Sequence, residues 1–178
     1  MTGAAKPPDP PIGKPEQAWS VLILVNDWVK HAESKAGATL AAAGVIGGVL
    51  YGLVKGQHHP SIALDAASVI CGVLTLAAAL FGGLSLAPRV RSREEPVSVL
   101  YFHHIARRHA RRAGSARYAE ALQALVSDDR QMINEIAGQI WANAHVARDK
   151  YRWGNLGLLM ILLALPALAA TALIIPIH

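Results

Sequence analysis

Charge is scarce in this sequence, and so are the groups that chemistry usually needs. Its 178 residues are 16% charged and 53% hydrophobic, against about 25% and roughly 45–50% for an average soluble domain. There is one cysteine, Cys71, so an intramolecular disulfide is excluded, and its place inside an apolar stretch argues for a small packing residue rather than a reactive thiol. No Gly-rich phosphate loop, HExxH or GxSxG pattern occurs, and the adjacent Asp128 and Asp129 point in different directions on a helix, which suits capping better than paired acid–base work. Of the eight His, three (His103, His104, His109) fall in one basic segment, but without a Cys or carboxylate partner they make a poor metal set. The chain therefore reads as a non-enzyme with no metal and no cofactor.

What is present is apolar and clustered. Three stretches carry no charge: 36–54, between Lys35 and Lys55; 66–88, ahead of Arg89; and 154–177, after the polar run Arg148, Asp149, Lys150, Tyr151 and Arg152. At about 1.5 Å rise per residue each makes roughly 28–36 Å of helix, the thickness of a bilayer's hydrocarbon core. A soluble bundle would need far more polar chain to cover them. The expectation is an all-α membrane protein with three transmembrane helices at 36–54, 66–88 and 154–175. A cleavable signal peptide is disfavoured, because the start is Pro-rich and polar.

The positive charge is uneven. Twelve of the seventeen Lys and Arg lie between Arg89 and Arg152, and the positive-inside rule puts that region in the cytoplasm. Two crossings precede it, so the N-terminus is expected on the cytoplasmic side and the C-terminus on the far side.

Residues 1–15, with five Pro, read as a disordered leader. A helix is expected from about Pro15 to Val54. Its first part, 16–35, is amphipathic and cytoplasmic, with Trp19, Leu22, Ile23 and Val29 at helical spacing. Pro88 ends the second crossing. Region 89–153 reads as a cytoplasmic helical sensor: a basic helix over about 97–113 ended by Gly114, a short helix from about Tyr118 to Val126, and a long helix opened by Ser127, Asp128 and Asp129. That last helix carries Ile133, Ile136, Ile140 and Ala144 on one face and continues into the third crossing, where Pro166 is expected to bend it. The cytoplasmic helices would thus be extensions of the first and last membrane helices.

Three features are candidates for function. Gly37, Ala41, Gly44, Gly48 and Gly52 fall within about 80° of one helix face at about 100° per residue. Such a small-residue stripe lets helices approach closely in lipid, either within the chain, where Gly72, Ala79 and Gly83 offer a partner face, or between subunits. The run Arg107, Arg108, Arg111 and Arg112 suits either a phosphate or anionic lipid headgroups; nucleic acid is disfavoured, since stacking aromatics are missing. The polar sets Asn26, Asp27, His31, Glu33, Lys35 and Gln139, Asn143, His145, Lys150, Tyr151 fit either a small polar ligand's pocket or ordinary solvated helix faces.

At these residues the sequence resembles the transmembrane effectors of Pycsar antiphage defence, small bacterial proteins that work beside a pyrimidine nucleotide cyclase. The resembling stretches are NDWVKHAESKAGATLAAAGV and DDRQMINEIAGQIWANAHVARDKYRWGNLGLLMILLALPAL, and the order of elements matches over about residues 16–175. The family pattern pairs an acid, a spacer, Lys and Ala at the membrane entrance with a Lys-Tyr pair before the last crossing; here these are Glu33, Lys35 and Ala36, then Lys150 and Tyr151, with Glu33 where the family has Asp. The resemblance implies an effector of the bacterial inner membrane that binds cyclic CMP or cyclic UMP, assembles as a homo-oligomer and impairs the bilayer, causing abortive infection. For such a ligand, Lys35, Arg107, Arg111 and Lys150 are the candidates for the cyclic phosphate, and Asn26, Gln139 and Asn143 for the base edge. The alternative is a constitutive membrane scaffold that recruits a cytoplasmic partner through its basic helices. A transporter or channel subunit ranks below both, because no charge lies inside the crossings.

Overall fold

The computed structural model describes residues 13–57, 61–87, 100, 105 and 114–175. The expected basic helix at 97–113, with Arg107, Arg111 and the three clustered His, lies outside them except for Leu100, which is in a turn, and Ile105, which is helical; most of the 1–15 leader lies outside them as well. Among the described residues the chain is all helix: α1, Pro15–Val54; α2, Ile62–Leu86; α3, Gly114–Val126; and α4, Asp129–Ile174. Three of these, α1, α2 and α4, are long and apolar enough to cross a membrane.

Local chemistry explains the ends. Pro15 opens α1, where its missing N–H is no loss. Ser61 caps α2, its Oγ accepting from the Leu64 amide at 3.3 Å, so this helix begins ahead of the uncharged stretch. It stops where Pro88 denies the residue before it the α conformation: Ala87 lies at φ −53°, ψ 129°. The third helix is described from Gly114, ahead of the Tyr118 start that the sequence suggests; the residues before Gly114 that the expected basic helix would occupy lie outside the described residues. Asp128 caps α4, accepting from the Gln131 amide at 3.1 Å, and α4 then runs through Pro166 to Ile174.

Two compact units divide the chain, and α1 and α4 each contribute to both. The first unit, residues 1–25 and 92–143, buries Leu22 and Val25 of α1, Leu125 of α3 and Ile136 of α4. Ile23 faces outward, so the inward register on α1 is Leu22 and Val25.

The second unit, residues 26–91 and 144–178, packs α1, α2 and α4 around Ala43, Ile46, Cys71, Ala78, Ile161 and Ala164. Its buried positions follow alternating steps of three and four. On α1 these are Ala32, Ala36, Thr39, Ala43 and Ile46; on α2, Cys71, Thr75, Ala78, Gly82 and Ser85; on α4, Ala147, Lys150, Gly154, Gly157, Ile161 and Ala164. That is the heptad spacing of a left-handed helix seam. Small residues set how close the helices come. A Cβ added to Gly157 would lie 3.1 Å from Thr39 Cγ2, 3.3 Å from the Ala78 carbonyl oxygen and 3.4 Å from the Gly82 nitrogen. Large aliphatic side chains such as Val69, Leu76, Leu80, Leu159 and Leu162 point away from this core and are exposed, an inverted pattern that only a lipid surround makes favourable.

Candidate functional site

Most of the seam is hydrocarbon, and its hydroxyls are satisfied locally: Thr39 Oγ1 donates to the Lys35 carbonyl, Thr75 to Cys71 and Thr171 to Ala167, each four residues back. One layer is different. Lys150, on α4, is 5% exposed. A lysine ammonium keeps its charge in such a place only if its N–H groups find strong acceptors. Two are provided by the other two helices: Glu33 Oε1 of α1 at 3.0 Å and the Ser85 carbonyl of α2 at 3.0 Å. Ser85 is fully buried and answers in kind, its Oγ donating to the Lys150 carbonyl at 2.9 Å. A single side chain thus ties all three membrane-length helices.

The layer is asymmetric. The Glu33 side chain is 46% exposed while that of Lys150 is 6% exposed, so the anion has access to solvent and the cation does not. The Lys150 stem fills the seam as an apolar side chain would, and only its tip requires polar partners. Beside it, Lys35 Nζ donates to Asn155 Oδ1 at 2.7 Å, a second bond between α1 and α4. Phe81 and Trp153 stack with centroids 5.7 Å apart, joining α2 to α4, and the Arg152 guanidinium lies 5.8 Å from the centre of the Trp153 ring. Among the described residues no buried side-chain nitrogen or oxygen lacks a hydrogen-bond partner, and no three His, Cys, Asp or Glu converge as metal ligands would.

The candidate residues for a ligand divide as follows. Lys150 is enclosed by Glu33 and Ser85. Lys35 is half-buried and bonded to Asn155. Asn26 is half-buried on α1, and Gln139 and Asn143 are half-buried on α4; Asn26 and Asn143 are both engaged in interactions. Arg107 and Arg111 lie outside the described residues. The two short motifs that sequence placed far apart, Glu33-x-Lys35-Ala36 and Lys150-Tyr151, meet through the Glu33–Lys150 pair. Ser85 and Asn155 carry equally direct bonds and were missed, since a lone Ser or Asn in an apolar run is ordinarily a minor packing residue. The available signal was Ser85's place, after Gly82 and at heptad spacing from Ala78.

The small-residue stripe on α1 is exposed throughout. Gly37, Ala41, Gly44, Gly48 and Gly52 all face away from α2 and α4, and a Cβ built on Gly37, Gly44, Gly48 or Gly52 meets nothing within 4 Å. The face that packs inside the chain is the Ala36, Thr39, Ala43 series, roughly 160° around the helix at about 100° per residue. Gly72 and Gly83 of α2 likewise do not meet this stripe: Gly72 approaches Leu50, and Gly83 faces open space.

Comparison with known proteins covers nearly the whole chain. Residues 17–177 match the family described as Pycsar effector protein domain. The curated Pycsar effector protein PtPycTM of Propioniciclava tarda is 35% identical over 159 residues, which cover 88% of this chain and 78% of that protein. No solved structure matches.

Proposed function

The chain belongs to the Pycsar effector family, and from that membership we propose that it is an antiphage membrane effector, silent until a cyclic pyrimidine mononucleotide, cyclic CMP or cyclic UMP, binds to its cytoplasmic part. The observation that carries this reading is the family match over 17–177 in a chain whose three longest helices are each able to cross a bilayer. The protein sits in the bacterial inner membrane with its N-terminus and the basic region 89–153 in the cytoplasm and its C-terminus outside, as the charge asymmetry favours. It acts without catalysis, through a change of helix packing.

For the ligand, Lys35, Arg107 and Arg111 are the cations for the cyclic phosphate, and Asn26, Gln139 and Asn143 the groups for the pyrimidine edge. Lys150 is a weaker choice, because the Glu33 carboxylate and the Ser85 carbonyl already occupy it inside the seam. The outward stripe of Gly37, Ala41, Gly44, Gly48 and Gly52 supports assembly between copies: it leaves helix backbone uncovered where neighbouring faces present large aliphatics, and close backbone approach is what drives helix pairing in lipid.

The direct test is thermal stability of the detergent-purified protein with saturating cyclic CMP, UMP, AMP and GMP in turn. A ligand that binds only the folded state raises the midpoint by mass action. A rise with one cyclic pyrimidine alone establishes the sensor and names its signal. No rise with any of the four, in protein shown to be folded, rejects it.

A further inference from the structure

Three membrane-length helices need no charge between them to pack, and a buried ion pair is rarely the most stabilising way to fill a core position. Lys150 occupies such a position, in heptad register with Ala147, Gly154 and Gly157. An apolar residue there would remove the one cation that α1 and α2 both contact, leaving the Lys35–Asn155 bond, the Ser85 Oγ bond to the residue-150 carbonyl and apolar packing to hold α1 and α2 against α4. With lysine there, one arrangement is selected: the one in which Glu33 Oε1 and the Ser85 carbonyl both lie 3.0 Å from Nζ while Ser85 Oγ reaches the Lys150 carbonyl at 2.9 Å. Any slide or rotation of α1 or α2 against α4 removes an acceptor from a cation that solvent does not reach. Buried polar layers are known to select register in this way.

Two further facts give the layer a place in switching. Glu33 and Lys150 lie on the helices that contribute to both compact units, so each partner belongs to an element that also builds the first unit. The exposure is lopsided, with Glu33 46% and Lys150 6% exposed at the side chain; the carboxylate can exchange its partner for water, and the bond therefore has an exit.

We propose that the Glu33–Lys150–Ser85 layer is a latch that holds the three spans in the silent arrangement, and that activation requires Glu33 to release Lys150. The proposal rests on the gated-effector reading and names the contact that must break. Its consequence is that weakening the latch shifts the equilibrium toward the active arrangement without any ligand.

The test uses the full chain, reconstituted in phosphatidylethanolamine and phosphatidylglycerol vesicles that enclose a self-quenching dye, without nucleotide and with cyclic CMP or cyclic UMP. Lys150→Met keeps the length and apolar volume of the side chain and removes the charge. The latch requires it to release dye without nucleotide at least about tenfold faster than wild type, the order of change that a shifted two-state population produces. Glu33→Gln should do the same more weakly. A Lys150→Met protein with wild-type helix content and elution volume overturns the latch if it retains dye without nucleotide, whether or not nucleotide then opens it. Should Lys150→Met fail to fold, Glu33→Gln carries the same requirement, and wild-type retention overturns the latch. The two ideas fail separately. A wild-type protein unmoved by either nucleotide, beside a Lys150→Met protein that leaks, sinks the cyclic-pyrimidine reading and leaves the latch standing.

Discussion

Glycines on these helices have opposite roles, and substitution by alanine distinguishes them. At Gly157 the new methyl would sit 3.1 Å from Thr39 Cγ2 and within 3.4 Å of two backbone atoms, the Ala78 oxygen and the Gly82 nitrogen. Backbone does not turn aside, and the Thr39 rotamer is held by its bond to the Lys35 carbonyl at 2.9 Å. The helices must therefore part by a few tenths of an ångström, at the overpacking cost of about 1–3 kcal/mol. At Gly44 the same methyl meets nothing within 4 Å, and because separated membrane helices remain helical, the usual helix-propensity gain of alanine largely cancels. A change within about 0.5 kcal/mol is expected there. Gly82→Ala should fall between, since its tight neighbours are side-chain atoms, Leu40 Cγ at 3.1 Å and Cδ2 at 3.3 Å, while the nearest backbone atom, the Ala36 oxygen, is at 3.5 Å. The assay is reversible denaturation in dilute mixed micelles, followed by tryptophan fluorescence; Trp153, stacked on Phe81, reports directly on the seam. The gap between Gly157→Ala and Gly44→Ala should be roughly 5- to 150-fold in the folding equilibrium constant. Equal stabilities, or a larger loss at Gly44, would refute the seam and its register.

Other substitutions test neighbouring claims. Gly44→Leu with Gly48→Leu should leave the monomer's helix content unchanged and abolish ligand-triggered toxicity in cells; unchanged toxicity and unchanged oligomer size would reject assembly through that stripe. In detergent, Glu33→Gln should destabilise by about 1–3 kcal/mol, less than a fully enclosed pair would lose, because water reaches the carboxylate side; a denaturation midpoint equal to wild type would contradict the geometry of Lys150. A Cβ at 154 lies 3.6 Å from Ser85 Oγ, so Ser85→Cys with Gly154→Cys, in a Cys71→Ala background, should form a disulfide on oxidation and suppress nucleotide-induced dye release until reductant is added. Asp128→Ala should cost about 1 kcal/mol at the start of α4, seen as faster amide exchange in that first turn with little change in the seam.

The membrane character, the three long helices and the family resemblance were all legible in the sequence. They follow from quantities that a linear chain displays directly: runs without charge, Pro and Asp at helix ends, and two short motifs. Packing was less legible. Glycine on α1 drew attention to Gly37, Gly44 and Gly48, but the face that meets α2 and α4 is Ala36, Thr39 and Ala43 on the opposite side. Both faces are small, so composition alone does not rank them; the steps of three and four shared by all three helices were the better signal.

Sequence alone determined that this chain needs a lipid surround, because hydrophobic length and the absence of charge are one-dimensional properties that bilayer thickness converts into spans. The role of Lys150 belonged to the tertiary structure. Beside Arg148 and Arg152 it looks like one more cation at a membrane boundary. It becomes a buried, three-helix tie only when Glu33, more than a hundred residues away, and the Ser85 carbonyl, which no side-chain pattern reports, are brought to 3.0 Å.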